Sequence, residues 1–252
     1  MRTMRVRLLA AGALAGVTLI SLAAAGAALT SRPDFELAKN WGGLEARLRR
    51  LGDTETLSPA QAFDTHTSLI AELKRLMYTT AERSSLLFDP DPASYFLMDI
   101  VVSRAVPWTE QIARLRGQGA GFLSRPEGPG DGAAALRAQL QVLARETDDF
   151  RFATDFAQRY GQEGLPSEEA IKAAESFVAQ ALRSLDSPGS ISGASFFDAG
   201  TAAMGPAQAY QSAVLQRLDQ LLQVRRESAV FHRRVAIGAA ALGLALMAYL
   251  LT

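Results

Sequence analysis

Apolar residues recur every third or fourth position along most of this chain, and strict apolar–polar alternation is absent. The first spacing is that of a helix buried along one face, the second that of a half-buried strand. The pattern therefore predicts an all-α fold, an antiparallel bundle of long helices. One helix is expected to end near Leu51. The next starts at Ser58-Pro59-Ala60-Gln61, where Ser58 suits the N-cap, Pro59 the first helical position and Gln61 a capping box. Its apolar seam reads Phe63, Ile70, Leu73, Met77 and Leu87, with His66, Thr80 and Ser84 as polar interruptions. A helix after Asp91-Pro92 shows one face at Tyr95, Met98, Val102 and Ala105. Beyond Pro107 that face moves to Trp108, Ile112, Leu115 and Phe122, as expected if Pro107 kinks the helix by crowding the Ser103 carbonyl.

Further stripes follow. Leu136, Leu140, Leu143, Phe150 and Ala157 mark a helix over 133–160. Ile171, Ala174, Val178, Ala181 and Leu185 mark one over 167–186, with Glu168 and Glu169 near its positive end. A last helix from about Ser195 carries Ala203, Tyr210, Val214, Leu221 and Phe231, with Gly205-Pro206 as an early break point.

Two stretches have no charge at all. Leu8 to Leu29 is about 33 Å long as a helix, enough to cross a bilayer core of about 30 Å. Val235 to Leu251 is the second, at the short end of the spanning range. The bundle is accordingly expected between two transmembrane helices: residues 1–31 the first, 32–234 a helical domain, 235–252 the second. Arg2, Arg5 and Arg7 precede the first stretch and favour a cytoplasmic N-terminus. Arg233 and Arg234 then fall outside, against that bias, which is weak across a long translocated domain. A cleaved signal peptide ending at Ala25-Gly26-Ala27 is the alternative for the first stretch.

Composition narrows the chemistry. Lys plus Arg equals Asp plus Glu at 26 each, which gives no basic surface for nucleic acid. The basic residues are nearly all Arg and are spread along the chain. Without Cys there is neither a disulfide nor a thiolate metal site. His66 and His232 lie far apart, so no metal or other cofactor is expected. No nucleophile–base set and no phosphate-binding Gly loop is present, and no enzyme is expected.

The run Ser84-Ser85-Leu86-Leu87-Phe88-Asp89-Pro90-Asp91-Pro92-Ala93-Ser94-Tyr95-Phe96-Leu97-Met98-Asp99 resembles the S-N-L-x-L-D-P-D-x-D-S-Y-Y-L-M-D segment. That segment belongs to the periplasmic regions of bacterial methyl-accepting chemotaxis proteins and related sensor histidine kinases. The similarity extends over about 57–123 and resumes at Phe196-Phe197-Asp198-Ala199-Gly200-Thr201. Ser85 stands in place of Asn and Ala93 in place of Asp. The resemblance implies a ligand-sensing region of a chemotaxis-type receptor in the bacterial inner membrane, with 32–234 in the periplasm. It also implies a HAMP linker and a cytoplasmic signalling module beyond Thr252. A histidine-kinase sensor region and a membrane-tethered scaffold without a ligand are the alternatives. The expected partners are the lipid bilayer, a second copy in a homodimer, and an unidentified small molecule or binding protein.

One place combines polar groups with an apolar seam. Thr80 and Ser84 lie one turn apart, Arg83 is beside them, and the following helix offers Tyr95 and Asp99. These five are the candidate ligand-binding residues, since pockets mix apolar walls with a few convergent polar groups. The competing arrangement is structural: Arg83 paired with Asp99, Asp91 capping a helix and Asp89 serving the turn.

Overall fold

A computed structural model describes residues 31, 33–50, 59–124, 132–187 and 190–250. The first uncharged stretch and the Ser58 cap lie outside these residues. The described elements are helical throughout, with no strand among them. They are α1 (Ala38–Arg49), α2 (Pro59–Arg83), α3 (Pro92–Asp99), a π-helical stretch (Ile100–Ala105), α4 (Val106–Leu123), α5 (Gly132–Arg159), α6 (Ser167–Asp186) and α7 (Gly193–Leu250). Short 3-10 turns occupy Pro33–Phe35 and Leu86–Phe88.

The chain divides into two compact units between Phe88 and Asp89. In the first, α1 packs on α2. Leu37, Trp41 and Leu44 meet Leu69 and Leu76, with Phe35, Leu48 and Leu73 at the margin. The buried stripe of α2 is thus Leu69 and Leu76, and the heptad expected through Ile70 and Met77 is only half-buried. The side chain that faces α1 is set by i, i+4, i+7 spacing from Leu69, and a 3.6-residue turn drifts off a strict seven-residue repeat over this length. Arg47 bridges the pair through Glu72 and Ser68.

In the second unit, α4 packs against α5 and α7, and α6 packs against the same two helices. Four helices therefore enclose one core. Trp108 stacks on Phe150 with centroids 4.1 Å apart, and Phe150 meets Tyr210 edge-on at 5.3 Å. The Trp108 indole donates to Thr147 Oγ1 at 2.9 Å, so its one polar atom is satisfied inside the core. Burying each large side chain of this kind stabilises the fold by roughly 1.5–3 kcal/mol. The stripe Leu136, Leu140, Leu143, Phe150 and Ala157 is buried as its spacing predicts. Small shifts occur elsewhere: Phe177 is buried where Val178 was expected, and Leu218 where Leu221 was expected. Gly119 is required by packing, because a Cβ there would collide with the Phe196 ring.

Both prolines predicted to disturb helices are accommodated, in different ways. Ahead of Pro107 the backbone widens into the π-helical stretch, which inserts the extra residue behind the change of face. The Thr109 hydroxyl, two residues past the proline, donates to the Ala105 carbonyl at 2.8 Å. Gly205-Pro206 does not break α7, which runs unbroken through both residues. Ala203, Ala207 and Tyr210 are all buried around it, so packing holds the turn that the backbone alone would lose.

Helix α7 has 58 residues and is about 87 Å long. Its burial ends at Leu218. Farther on, Phe231, Val235, Ile237, Leu242, Leu244, Leu246, Met247 and Leu250 are exposed on all sides. It is the one helix among the described residues long and apolar enough to cross a membrane, and none of its apolar window is covered by protein.

Candidate functional site

The five residues expected to converge are divided between the units: Thr80, Arg83 and Ser84 precede the division, Tyr95 and Asp99 follow it. Each is engaged within its own unit. Thr80 Oγ1 donates to the Leu76 carbonyl at 2.7 Å and Ser84 Oγ to that of Ala81 at 3.2 Å. Arg83 faces Glu36 at 3.8 Å, and Asp99 pairs with Arg104 at 2.9 Å. Tyr95 points out of the core, edge-on to Phe96 at 5.4 Å, and the buried face of α3 is Ser94, Leu97 and Met98. A cleft of about 290 Å³ between α1 and α2 is lined by Asn40, Leu44, Glu72, Arg75, Leu76 and Thr79, one residue away from Thr80. Among the described residues no group of three or more His, Cys, Asp or Glu is placed to hold a metal ion.

The polar centre of the second unit lies instead in the Asp-Pro-Asp turn. Asp91 is extended at φ −87°, ψ 115° and accepts the Ala93 amide at 2.9 Å, with Pro92 in the first turn. It is the cap that its sequence predicts. Asp89 does more than form the turn. Its Oδ1 accepts the Asp91 amide at 3.0 Å and its Oδ2 the Ser94 hydroxyl at 2.8 Å. Both oxygens also accept from Arg225 Nη1 at 2.8 Å. Arg225 Nη2 donates to Ser94 Oγ at 2.7 Å and to Asp91 Oδ2 at 2.9 Å. One guanidinium on α7 thus holds all three polar residues of the D-P-D-x-x-S segment.

The electrostatics follow from this geometry. The Asp89 side chain is 4% exposed. Burial by itself pushes its carboxyl upward, but the Asp91 amide, the Ser94 hydroxyl and the Arg225 guanidinium more than offset that and hold it below the usual carboxylate range. Arg225 is held above its ordinary value, chiefly by its hydrogen bond to Asp89, with Asp91 adding to the field. At neutral pH both groups are charged and the cluster is closed.

Sequence reasoning found Asp91 and missed Arg225. Arg225 sits in a run of polar residues that reads as a solvated helix face, and nothing local marks it as the partner of a turn 136 positions earlier. Its one sequence signal is an excess of acid in the turn: one aspartate suffices as a cap, and the second needs a cation. The chain matches no family model, no curated protein and no solved structure.

Proposed function

We propose that this chain is the sensing and transmitting region of a chemotaxis-type membrane receptor, an antiparallel bundle between two membrane helices with its soluble part in the periplasm of a bacterial cell. The reading rests on one observation above the others. Helix α7 runs without a break from the aromatic core, through the Arg225 cluster, into a stretch whose apolar side chains have no protein around them. Arg225 lies ten residues before Val235, about 15 Å along the helix. A change in packing around Tyr210 or at the Asp89 turn therefore has a rigid path to the membrane. Discrete repacking of helices, rather than bending, is how such paths carry a signal. The receptor works as a homodimer and passes the displacement to a cytoplasmic module; the sensor region of a histidine kinase is the alternative reading.

The test is a fusion. The chain is joined after Thr252 to the HAMP linker and kinase-control module of a characterised receptor, and kinase output is measured in membranes. Arg225→Ala should shift the basal output by severalfold without loss of helix content. An output indifferent to Arg225→Ala, Asp89→Asn and the deletion of residues 89–94 would leave the scaffold reading in its place.

A further inference from the structure

The last helix makes a second polar contact, far from the Asp89 turn. Arg116 on α4 lies across the segment Phe197–Thr201 at the start of α7. Its guanidinium carbon is 4.5 Å from the centre of the Phe197 ring, and Nη1 donates to Thr201 Oγ1 at 3.1 Å. Thr201 turns its own proton inward, to the Phe197 carbonyl at 2.9 Å, so its oxygen is fixed as an acceptor. Gly200 supports the Arg116 stem closely: a Cβ there would lie 2.7 Å from the Arg116 Cβ and Cγ. The side chain is therefore clamped on three sides by one short stretch of α7.

What is missing is a counter-charge. Among the described residues no carboxylate lies within salt-bridge distance of Arg116, a lack it shares with several exposed arginines of the unit; what sets it apart is its buried Nε. Its Nε is buried without an acceptor, and Nη2 makes no hydrogen bond to the described residues. Burial pushes this guanidinium down from its ordinary value. A partly desolvated cation that is held rigid but left unpaired is costly in isolation and favourable once an oxyanion meets it. The ring face tolerates the cation; it does not neutralise it.

We propose that Arg116, positioned by Phe197, Gly200 and Thr201, binds the carboxylate or phosphate group of a small anionic ligand through its free Nη edge. A planar guanidinium fork matches both groups. The second half of the proposal rests on the receptor reading above: an anion there pulls on Arg116, and Arg116 is seated on α7, so occupancy acts directly on the helix that leads to the membrane. Thr201 stands 34 residues before Val235 on that helix, about 51 Å away.

The experiment uses the full chain in lipid nanodiscs, with thermal unfolding followed by circular dichroism at constant ionic strength. Sodium chloride is replaced stepwise by sodium acetate in one arm and by sodium phosphate in the other. The wild type and a control at Arg217, an α7 arginine away from Arg116 whose Nε donates to Gln162 Oε1 at 2.9 Å, changed as Arg217→Gln, should show a saturable rise in Tm of about 2–4 °C in at least one arm. The responding arm identifies the group as carboxylate or phosphate. Arg116→Gln should lose the saturable part and keep only the general stabilisation that phosphate gives any protein. Thr201→Val leaves the guanidinium in place and should raise the half-saturating concentration several-fold, which serves if Arg116→Gln lowers helix content. No saturable response of the wild type in either arm, or an equal response in Arg116→Gln, overturns the site. A spin label at position 230 separates the two halves: ions that bind without changing the label-to-label distance between copies leave the site standing and sink its coupling to the membrane helix.

Discussion

Asp89 and Arg225, 136 positions apart, are joined by two hydrogen bonds of 2.8 Å, one to each carboxylate oxygen. The contact closes the turn before α3 onto the helix that continues into the exposed apolar stretch. It also assigns a structural reason to each polar position of the segment: Asp91 caps, Ser94 links, and Asp89 receives the cation.

Asp89→Asn should destabilise the second unit by about 1.5–3 kcal/mol at pH 7, the usual loss for a hydrogen bond to a charged group, with Arg225 half-exposed and so partly compensated by water. The pH dependence has a definite sign. The folded-state value of Asp89 is depressed, so its contribution is fully present above the ordinary carboxylate value, about 3.9, and is lost as pH falls through the lower folded value. Urea melts of wild type and variant should therefore differ at pH 7 and draw together as pH falls below the ordinary carboxylate range. Parallel curves at all pH values would show that the carboxylate charge is not what holds the turn.

Asp91→Ala removes the α3 cap and should cost about 0.5–2 kcal/mol. Pro92→Leu, by contrast, should be tolerated, because proline in the first turn is favourable but not required. If Pro92→Leu loses as much stability in urea as Asp91→Ala, the ring of Pro92 contributes as much as the cap.

Ser85 has a φ of +61°, in the left-handed region that costs most residues energy. The chemotaxis-receptor segment that this run resembles has Asn at this place, and Asn tolerates that region well. The departure at Ser85 thus concerns the exit from α2, where the Ser85 amide donates to the Glu82 carbonyl at 2.9 Å. Ser85→Gly should stabilise the chain by about 0.4–1 kcal/mol, and Ser85→Asn by less. A fall in Tm for both would show that the Ser85 side chain makes a contact worth more than the strain.

Helix positions were legible because their signals are local. Asp91-Pro92 and the Leu136–Ala157 stripe need only neighbours three or four residues away. Errors of one position arose where a longer-range effect entered. Of the face expected at Tyr95, Met98, Val102 and Ala105, the last three are buried and Tyr95 is exposed, and only the partner helix α1 decides that Leu69 rather than Ile70 is buried. Hydroxyls on a seam suggest a pocket, yet Thr80 and Ser84 use them on carbonyls of their own helix, a choice that sequence does not reveal. Arg225 and Arg116 both escaped notice because an arginine on a helix surface has no local mark that tells a solvated charge from a docked one.

Orientation is open to a direct measurement. The three arginines before Leu8 favour a cytoplasmic N-terminus by the positive-inside bias, and α7 is long and apolar enough to cross. With both crossings made, position 130 lies in the periplasm and the residues after Thr252 in the cytoplasm. Alkaline phosphatase folds to an active form only where its disulfides are oxidised, so a fusion at position 130 should be active and one after Thr252 inactive. Arg233 and Arg234 argue the other way, since they border the second crossing on its outer side. Changing both to Gln should leave the pattern unchanged if the first span sets the orientation, because charges after a long translocated domain have little influence. Activity after Thr252 in the parent chain would reverse the orientation. Activity at both positions would mean that α7 does not cross, and the path from Arg225 into the bilayer would then be lost.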